Sequence, residues 1–232
     1  MDNLILKDSC YVQDTCKKYK NNECTDLFCV RLYKIHELYN KSLLTLEQRK
    51  SIRLFLDENR IDEIPYMALQ QYQQNIVEVV NSGKNLFIYS QITGNGKTSW
   101  AIKLLQSYIS KIWASSDLVC RALFVNVPKF TRELKLNITK SSDYINHIND
   151  NILSADIVVW DDIAIKSASD YEHEQFLSIL DSRLDDKKCN IFTSNIPPDS
   201  LQDYLGARLT SRIVGLSECI CFNGTDKRGC AE

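Results

Sequence analysis

The chain has 232 residues, 44% of them hydrophobic and 25% charged, with a formal net charge of −2. That balance fits one folded α/β domain with a small addition and excludes a disordered or collagen-like chain. Charges also balance locally, 11 basic against 11 acidic over residues 1–64 and 17 against 19 over 65–232, which excludes nucleic-acid binding by bulk electrostatics and leaves only a local patch.

From the N-terminus, no basic-then-apolar leader appears and no apolar run nears the roughly 18 residues of a membrane span, so a cytoplasmic chain without membrane partners is expected. Four of the nine cysteines, Cys10, Cys16, Cys24 and Cys29, fall within the first thirty residues. Without a secretion signal, clustered thiols point to a metal rather than to disulfides. Their spacings lack paired C-x-x-C knuckles. Structural Zn²⁺ is the expectation, with an iron–sulfur cluster or no metal as alternatives. Large apolar residues here are few, mostly in a helix-like stretch at 28–39, so a metal would supply the folding energy that a small core cannot.

Thr45 and Gln48 read as a capping box opening a helix over 46–59. The polar, proline-containing stretch 60–65 then reads as a boundary between a Cys-rich, metal-binding partner-interaction domain (1–64) and the main domain (65–232). A helix over 66–81 follows, with Gly83 as its left-handed C-cap. Beyond it, short runs rich in Ile, Val and Phe at 85–90, 121–126, 156–160, 190–194 and 219–222 predict parallel strands buried on both faces. Helical patterns at 97–112, 128–136, 141–153, 171–184 and 200–214 separate them. The sum is α/β, a five-stranded parallel sheet between helices.

Gln91-Ile92-Thr93-Gly94-Asn95-Gly96-Lys97-Thr98 lies between the first strand and its helix. A polyphosphate needs inward backbone N–H groups, so the loop must coil tightly, and Gly94 and Gly96, flanking Asn95, permit it. The helix N-terminus adds its positive dipole end, Lys97 reaches the β- and γ-phosphates, and the Thr98 hydroxyl ligates Mg²⁺. Gln91 stands where the P-loop pattern asks for glycine, which puts loop geometry and affinity in question. An apolar strand ends in Asp161-Asp162, 64 residues after Lys97. Asp161 is expected to hold the Mg²⁺ hydration shell and Asp162 to polarise the attacking water. Asn195, closing the fourth strand, can orient that water. Arg208 and Arg212, i and i+4 on one helix, are either available to a neighbouring subunit's nucleotide or simply a solvated arginine face.

These motifs, in order over roughly 66–228, resemble the AAA+ core of DnaC-type helicase loaders, with the IstB-type transposition ATPases as related company. The resembling segments are QYQQNIVEVVNSGKNLFIYSQITGNGKTSWA, WDDIAIKSASDYEHEQFLSILDSRLDDKKCNIFTSNIPPDSL and YLGARLTSRIVGLSECICFNGTDKR. The resemblance implies Walker A roles for Lys97 and Thr98, Walker B roles for Asp161 and Asp162, and sensor 1 for Asn195. It also implies an arginine finger at Arg212, with Arg208 competing, and a sensor 2 contact from Arg228 in Gly224-Thr225-Asp226-Lys227-Arg228. A slow, partner- or DNA-stimulated ATPase that loads a replicative DNA helicase, phage-encoded and homo-oligomeric under ATP, is the function it implies. An IstB-like transposition ATPase and a nucleotide-degenerate interaction module are the alternatives. Single-stranded DNA is a further expected partner, with Phe130, amid Lys129, Arg132, Lys135 and Lys140, positioned to stack on a base if this helix is more than a solvated basic face.

Overall fold

The computed structural model describes residues 10–24, 29–56, 59–137, 141–164 and 170–227. Five strands, β1 (Asn85–Tyr89), β2 (Ala122–Asn126), β3 (Ile157–Asp161), β4 (Cys189–Ser194) and β5 (Ser217–Cys221), form one parallel sheet in the order β2-β3-β4-β1-β5. Nine helices are described: α1 (Lys17–Lys20), α2 (Val30–Lys41), α3 (Glu63–Gln74), α4 (Ile76–Asn81), α5 (Lys97–Ile112), α6 (Val127–Asn137), α7 (Asp143–Asn151), α8 (Asp170–Asp185) and α9 (Pro198–Gly215).

The period of two in the strands sorts their side chains onto two faces. Leu86, Ile88, Phe124, Ile157, Val159 and Ile191 join a core built with α2, α3, α4 and α5. Phe87, Leu123, Val125, Val158, Trp160 and Phe192 join a second core under α6, α7, α8 and α9. Both cores need apolar residues from the same strands, which is why the strands read as continuous apolar runs.

Expected and observed elements differ most before the sheet. The capping box forms: Thr45 N–H donates to Gln48 Oε1 (3.0 Å) and Gln48 N–H to Thr45 Oγ1 (3.3 Å). It opens only a 3-10 turn, Glu47–Arg49, and no helix runs on. The carbonyls that a helix would use internally are taken by side chains of the α/β core. Gln106 Nε2 donates to the Lys50 carbonyl (2.9 Å), Lys103 Nζ to that of Ile52 (2.7 Å) and Tyr66 Oη to that of Leu54 (2.9 Å). The helix expected over 66–81 is two helices, broken at Asn75. Gly83 does end the second, at φ 67°, with Gly83 N–H donating to Val80 (3.0 Å) and Lys84 N–H to Val79 (3.3 Å).

Packing runs across residue 64 without a break. Val12, Ile35, Leu38, Tyr39 and Leu44 share one buried cluster with Leu69, Trp100 and Leu104. The described part of the N-terminal segment therefore packs on the α/β core through one shared cluster.

Candidate active site

Strand register sets the site. Tyr89 lies opposite Ser194, Asn126 opposite Asp161, and Trp160 opposite Phe192. The C-terminal ends of four parallel strands thus form one row, the edge at which open α/β sheets bind ligands.

The loop after β1 coils through Gly94 (φ 76°) and Gly96 (φ 99°), left-handed positions that a side chain would strain. Gly96 is also the N-cap of α5, so the loop's N–H groups and the helix dipole converge. Gln91 is exposed and is not among the residues with positive φ. No glycine is required at 91, so the departure from the P-loop pattern leaves the turn intact. Ser90 stiffens the loop: its hydroxyl accepts from Ile92 N–H (3.0 Å) and from Asn95 Nδ2. Lys97 Nζ donates to Asn95 Oδ1 (3.2 Å) and to the Ile92 carbonyl (3.0 Å), which holds its charge inside the loop with the side chain buried.

At the next strand ends, Thr98 Oγ1 donates to Asp161 Oδ1 (2.7 Å), to which Thr193 Oγ1 also donates (2.8 Å), while Asn126 Nδ2 donates to Oδ2 (3.3 Å). The Thr98 hydroxyl and the buried Asp161 carboxylate side by side are a hard-oxygen donor set that fits Mg²⁺. Asp162 adopts φ 59°, an uncommon backbone conformation for aspartate, pinned by donation of its N–H to Thr193 Oγ1 (2.9 Å). Burial, then the charge of Asp161, pushes the Asp162 carboxyl above its ordinary pKa, against a smaller pull down from Lys97 and the Asn195 hydrogen bond. Asn195 Nδ2 donates to Asp162 Oδ1 at 3.2 Å.

Sequence reasoning did not single out Ser90, Asn126 or Thr193. For Thr193 a signal existed, since it stands two residues before Asn195 along β4 and so faces the same side of the strand. Lys97, Thr98, Asp161, Asp162, Thr193 and Asn195 line a cavity of about 480 Å³, together with Arg53, Leu54 and Phe55, the rest of residues 94–100, Ser194 and Lys227; Ser90 and Asn126 support it through their hydrogen bonds to Asn95 and Asp161.

A model of the bacterial DnaA ATPase domain matches residues 46–218. The chain belongs to that family. The family match starts at residue 46 and so begins inside the segment (1–64) expected to be separate. Among solved structures, DnaI superposes with a TM-score of 0.61 at 22% identity, covering 78% of this chain and 95% of that one. The DnaC helicase loader gives 0.58 at 19% identity, covering 73% and 94%. AMPPCP-bound DnaA from Aquifex aeolicus gives 0.53 at 22%, covering 75% and 50%. At these identities the likeness is one of fold, and that fold is the α/β AAA+ core expected from the sequence. No curated protein sequence matches the chain.

Other expected residues of this DnaA-type ATPase lie apart from the cavity. Arg208 and Arg212 stand on α9, where Asp181 of α8 pairs with both, at 3.2 Å and 3.1 Å. Neither lines the cavity of its own chain. Arg228 lies outside the described residues, as does Lys140. Phe130 is 1% exposed in the second core, so it cannot stack on a base. The helix that carries it is the solvated basic face that its pattern also allowed, Lys135 pairing with Glu172 at 3.3 Å.

The zinc expectation finds no support. Cys10, Cys16, Cys24 and Cys29 are free, half-buried thiols. Burial raises the Cys10 pKa, against a backbone hydrogen bond at Val12 and with smaller additions from Cys29, Cys16 and Cys24. Among the described residues no three ligating side chains form a group able to hold a metal. The energetic argument for a metal also weakens, because this segment is anchored by the shared core. No described helix is long and apolar enough to cross a membrane.

Proposed function

We propose that this chain binds and slowly hydrolyses Mg·ATP as a cytoplasmic switch that loads a replicative DNA helicase onto DNA. The observation that carries the reading is the meeting of Lys97, Thr98, Asp161, Asp162 and Asn195 on one cavity at the sheet edge. In it Lys97 would leave its loop carbonyl for the β- and γ-phosphates, and Thr98 with Asp161 would hold Mg²⁺, which would neutralise charge developing on the phosphates. Asp162 accepts a proton from the attacking water, which Asn195 orients. Asp162 is one methylene shorter than glutamate, which fits slow turnover.

Arg212, or Arg208 one turn earlier, completes the site of a neighbouring copy, giving a homo-oligomer under ATP. The outward position of both arginines, away from their own cavity, supports action in trans. The helicase as partner rests on the likeness in fold to DnaI and to a structure described as the DnaC helicase loader, and single-stranded DNA on a DnaA structure described as bound to it. The intact loop at Gln91 speaks against a nucleotide-degenerate module.

Mixing Arg212→Ala protein with Lys97→Ala protein tests the switch. Each alone should be inactive, and the mixture should regain part of the activity, because one supplies an intact site and the other an intact finger. No recovery with Arg212→Ala or with Arg208→Ala, from a protein that stays monomeric with ATP and DNA, would count against the oligomeric reading. Capture of a purified hexameric replicative helicase by the full chain, with helicase transfer to closed single-stranded circles only when ATP is present, tests the loading role.

A further inference from the structure

Asp62 stands at the N-cap of α3, a position where aspartate ordinarily accepts an N–H from its own helix. It makes no such bond. Its carboxylate, 1% exposed, reaches across the chain and accepts the N–H of Asn223 (2.7 Å) and of Gly224 (3.0 Å to one oxygen, 3.1 Å to the other). A buried carboxylate needs such donors, and backbone N–H groups supply them at fixed geometry. The segment after β5 is thereby held at its start by the residue that precedes α3.

The far end of that segment is held by the phosphate loop. Lys227 N–H donates to the Gly94 carbonyl (3.0 Å). A side chain on Gly94 would meet the Asp226 carboxylate at 1.8 Å. Lys227 also points its ammonium inward: Nζ donates to the Phe55 carbonyl (3.3 Å), lies 4.0 Å from Asp62 Oδ2, and forms part of the cavity lining. Phe55, Asp62, the tail and the phosphate loop therefore meet at one junction, and the junction's lysine is one of the residues that line the cavity with Asp161 and Asp162.

Resting on the nucleotide-site reading, we propose that Lys227 is a further nucleotide-binding residue of this site and that Asp62 is its positioning residue. Lys227 supplies a second cation to the polyphosphate beside Lys97. Asp62 never touches the nucleotide; it fixes the tail so that the Lys227 backbone closes on Gly94 while the ammonium stays on the cavity. Neither residue was among the sequence-derived candidates, which put the tail's cation at Arg228.

Equilibrium titration of the full chain with a fluorescent ATP analogue in Mg²⁺, read beside steady-state hydrolysis and thermal unfolding, tests this. Lys227→Met should raise the Kd for ATP about tenfold, with kcat at saturating ATP changed less than about threefold. Lys227→Arg should stay within about twofold of the wild type. Asp62→Asn keeps an acceptor but loses the charge, and should raise Kd by several-fold without a change in kcat. If Asp62→Asn unfolds the protein, Lys227→Met alone still decides. Wild-type Kd in Lys227→Met, with binding still lost in Lys97→Ala, would overturn the proposal while leaving the nucleotide site standing. Absence of binding by the wild type would overturn both.

Discussion

The nucleotide corner and the cysteine segment each offered four or more chemically suited side chains, and only the first assembles. Lys97, Asp161 and Asn195 are far apart in sequence, yet each follows or closes a strand of the parallel sheet, whose register brings those strand ends into one row. The four cysteines lie within twenty residues of one another, yet form no metal-holding group among the described residues. Closeness along the chain is no substitute for a scaffold. The sheet fixes geometry by backbone hydrogen bonds made before any ligand arrives, whereas the cysteine segment takes its shape from apolar packing of Val12, Ile35, Leu38 and Tyr39 on the ATPase core.

Substitutions can break or sharpen that contrast. The largest effect is expected at Asp162→Asn, which should leave ATP binding near wild type and lower kcat by about 10²–10⁴-fold, the range for removing a general base. Single-turnover hydrolysis checks it, and normal turnover would remove the water-activating role. Next, Leu38→Ala should destabilise the whole chain by about 2–5 kcal/mol, since Leu38 is 3% exposed in the shared core. Denaturant unfolding should show one transition; a separate, unaffected ATPase transition would mean that the N-terminal segment folds independently.

Thr193→Val removes the hydroxyl that bonds both Asp161 Oδ1 and the Asp162 N–H. It should cost about 1–3 kcal/mol of stability, the range for orphaning buried polar partners, and lower kcat more than it raises KM. The smallest effect is expected at Cys24→Ser/Cys29→Ser. Both thiols are half-buried and outside the core cluster, so stability should change by no more than about 1 kcal/mol. Elemental analysis of protein purified without oxygen should find well under one zinc per chain. One tightly held zinc, lost in that double variant together with its stability, would reverse the comparison between the two regions.

How much could be read from the sequence divides along physical lines. Helix α5 and all five strands were legible to within a few residues, because period and loop chemistry agree there with the tertiary fold. The expected helix at 46–59 was not. Its capping box is real, but the decisive donors are Gln106, Lys103 and Tyr66, which no local window contains. Within the site, Lys97, Thr98, Asp161, Asp162 and Asn195 carry motif signatures and do converge. Thr193 and Asn126 carry none, since their part comes from standing beside Asp161 across strands. Asp62 was hidden for the opposite reason: its local pattern points to capping α3, while its carboxylate serves residues 223 and 224.

The central claim is that the cavity at the sheet edge is a Mg·ATP site built on Lys97. Titration of wild-type and Lys97→Ala protein with labelled ATP, with and without Mg²⁺, tests it most directly. The account predicts saturable binding by the wild type that weakens without Mg²⁺, and loss of at least about 100-fold in affinity, some 2.7 kcal/mol, in a Lys97→Ala chain that remains folded. Equal affinity of the two proteins for ATP would contradict it.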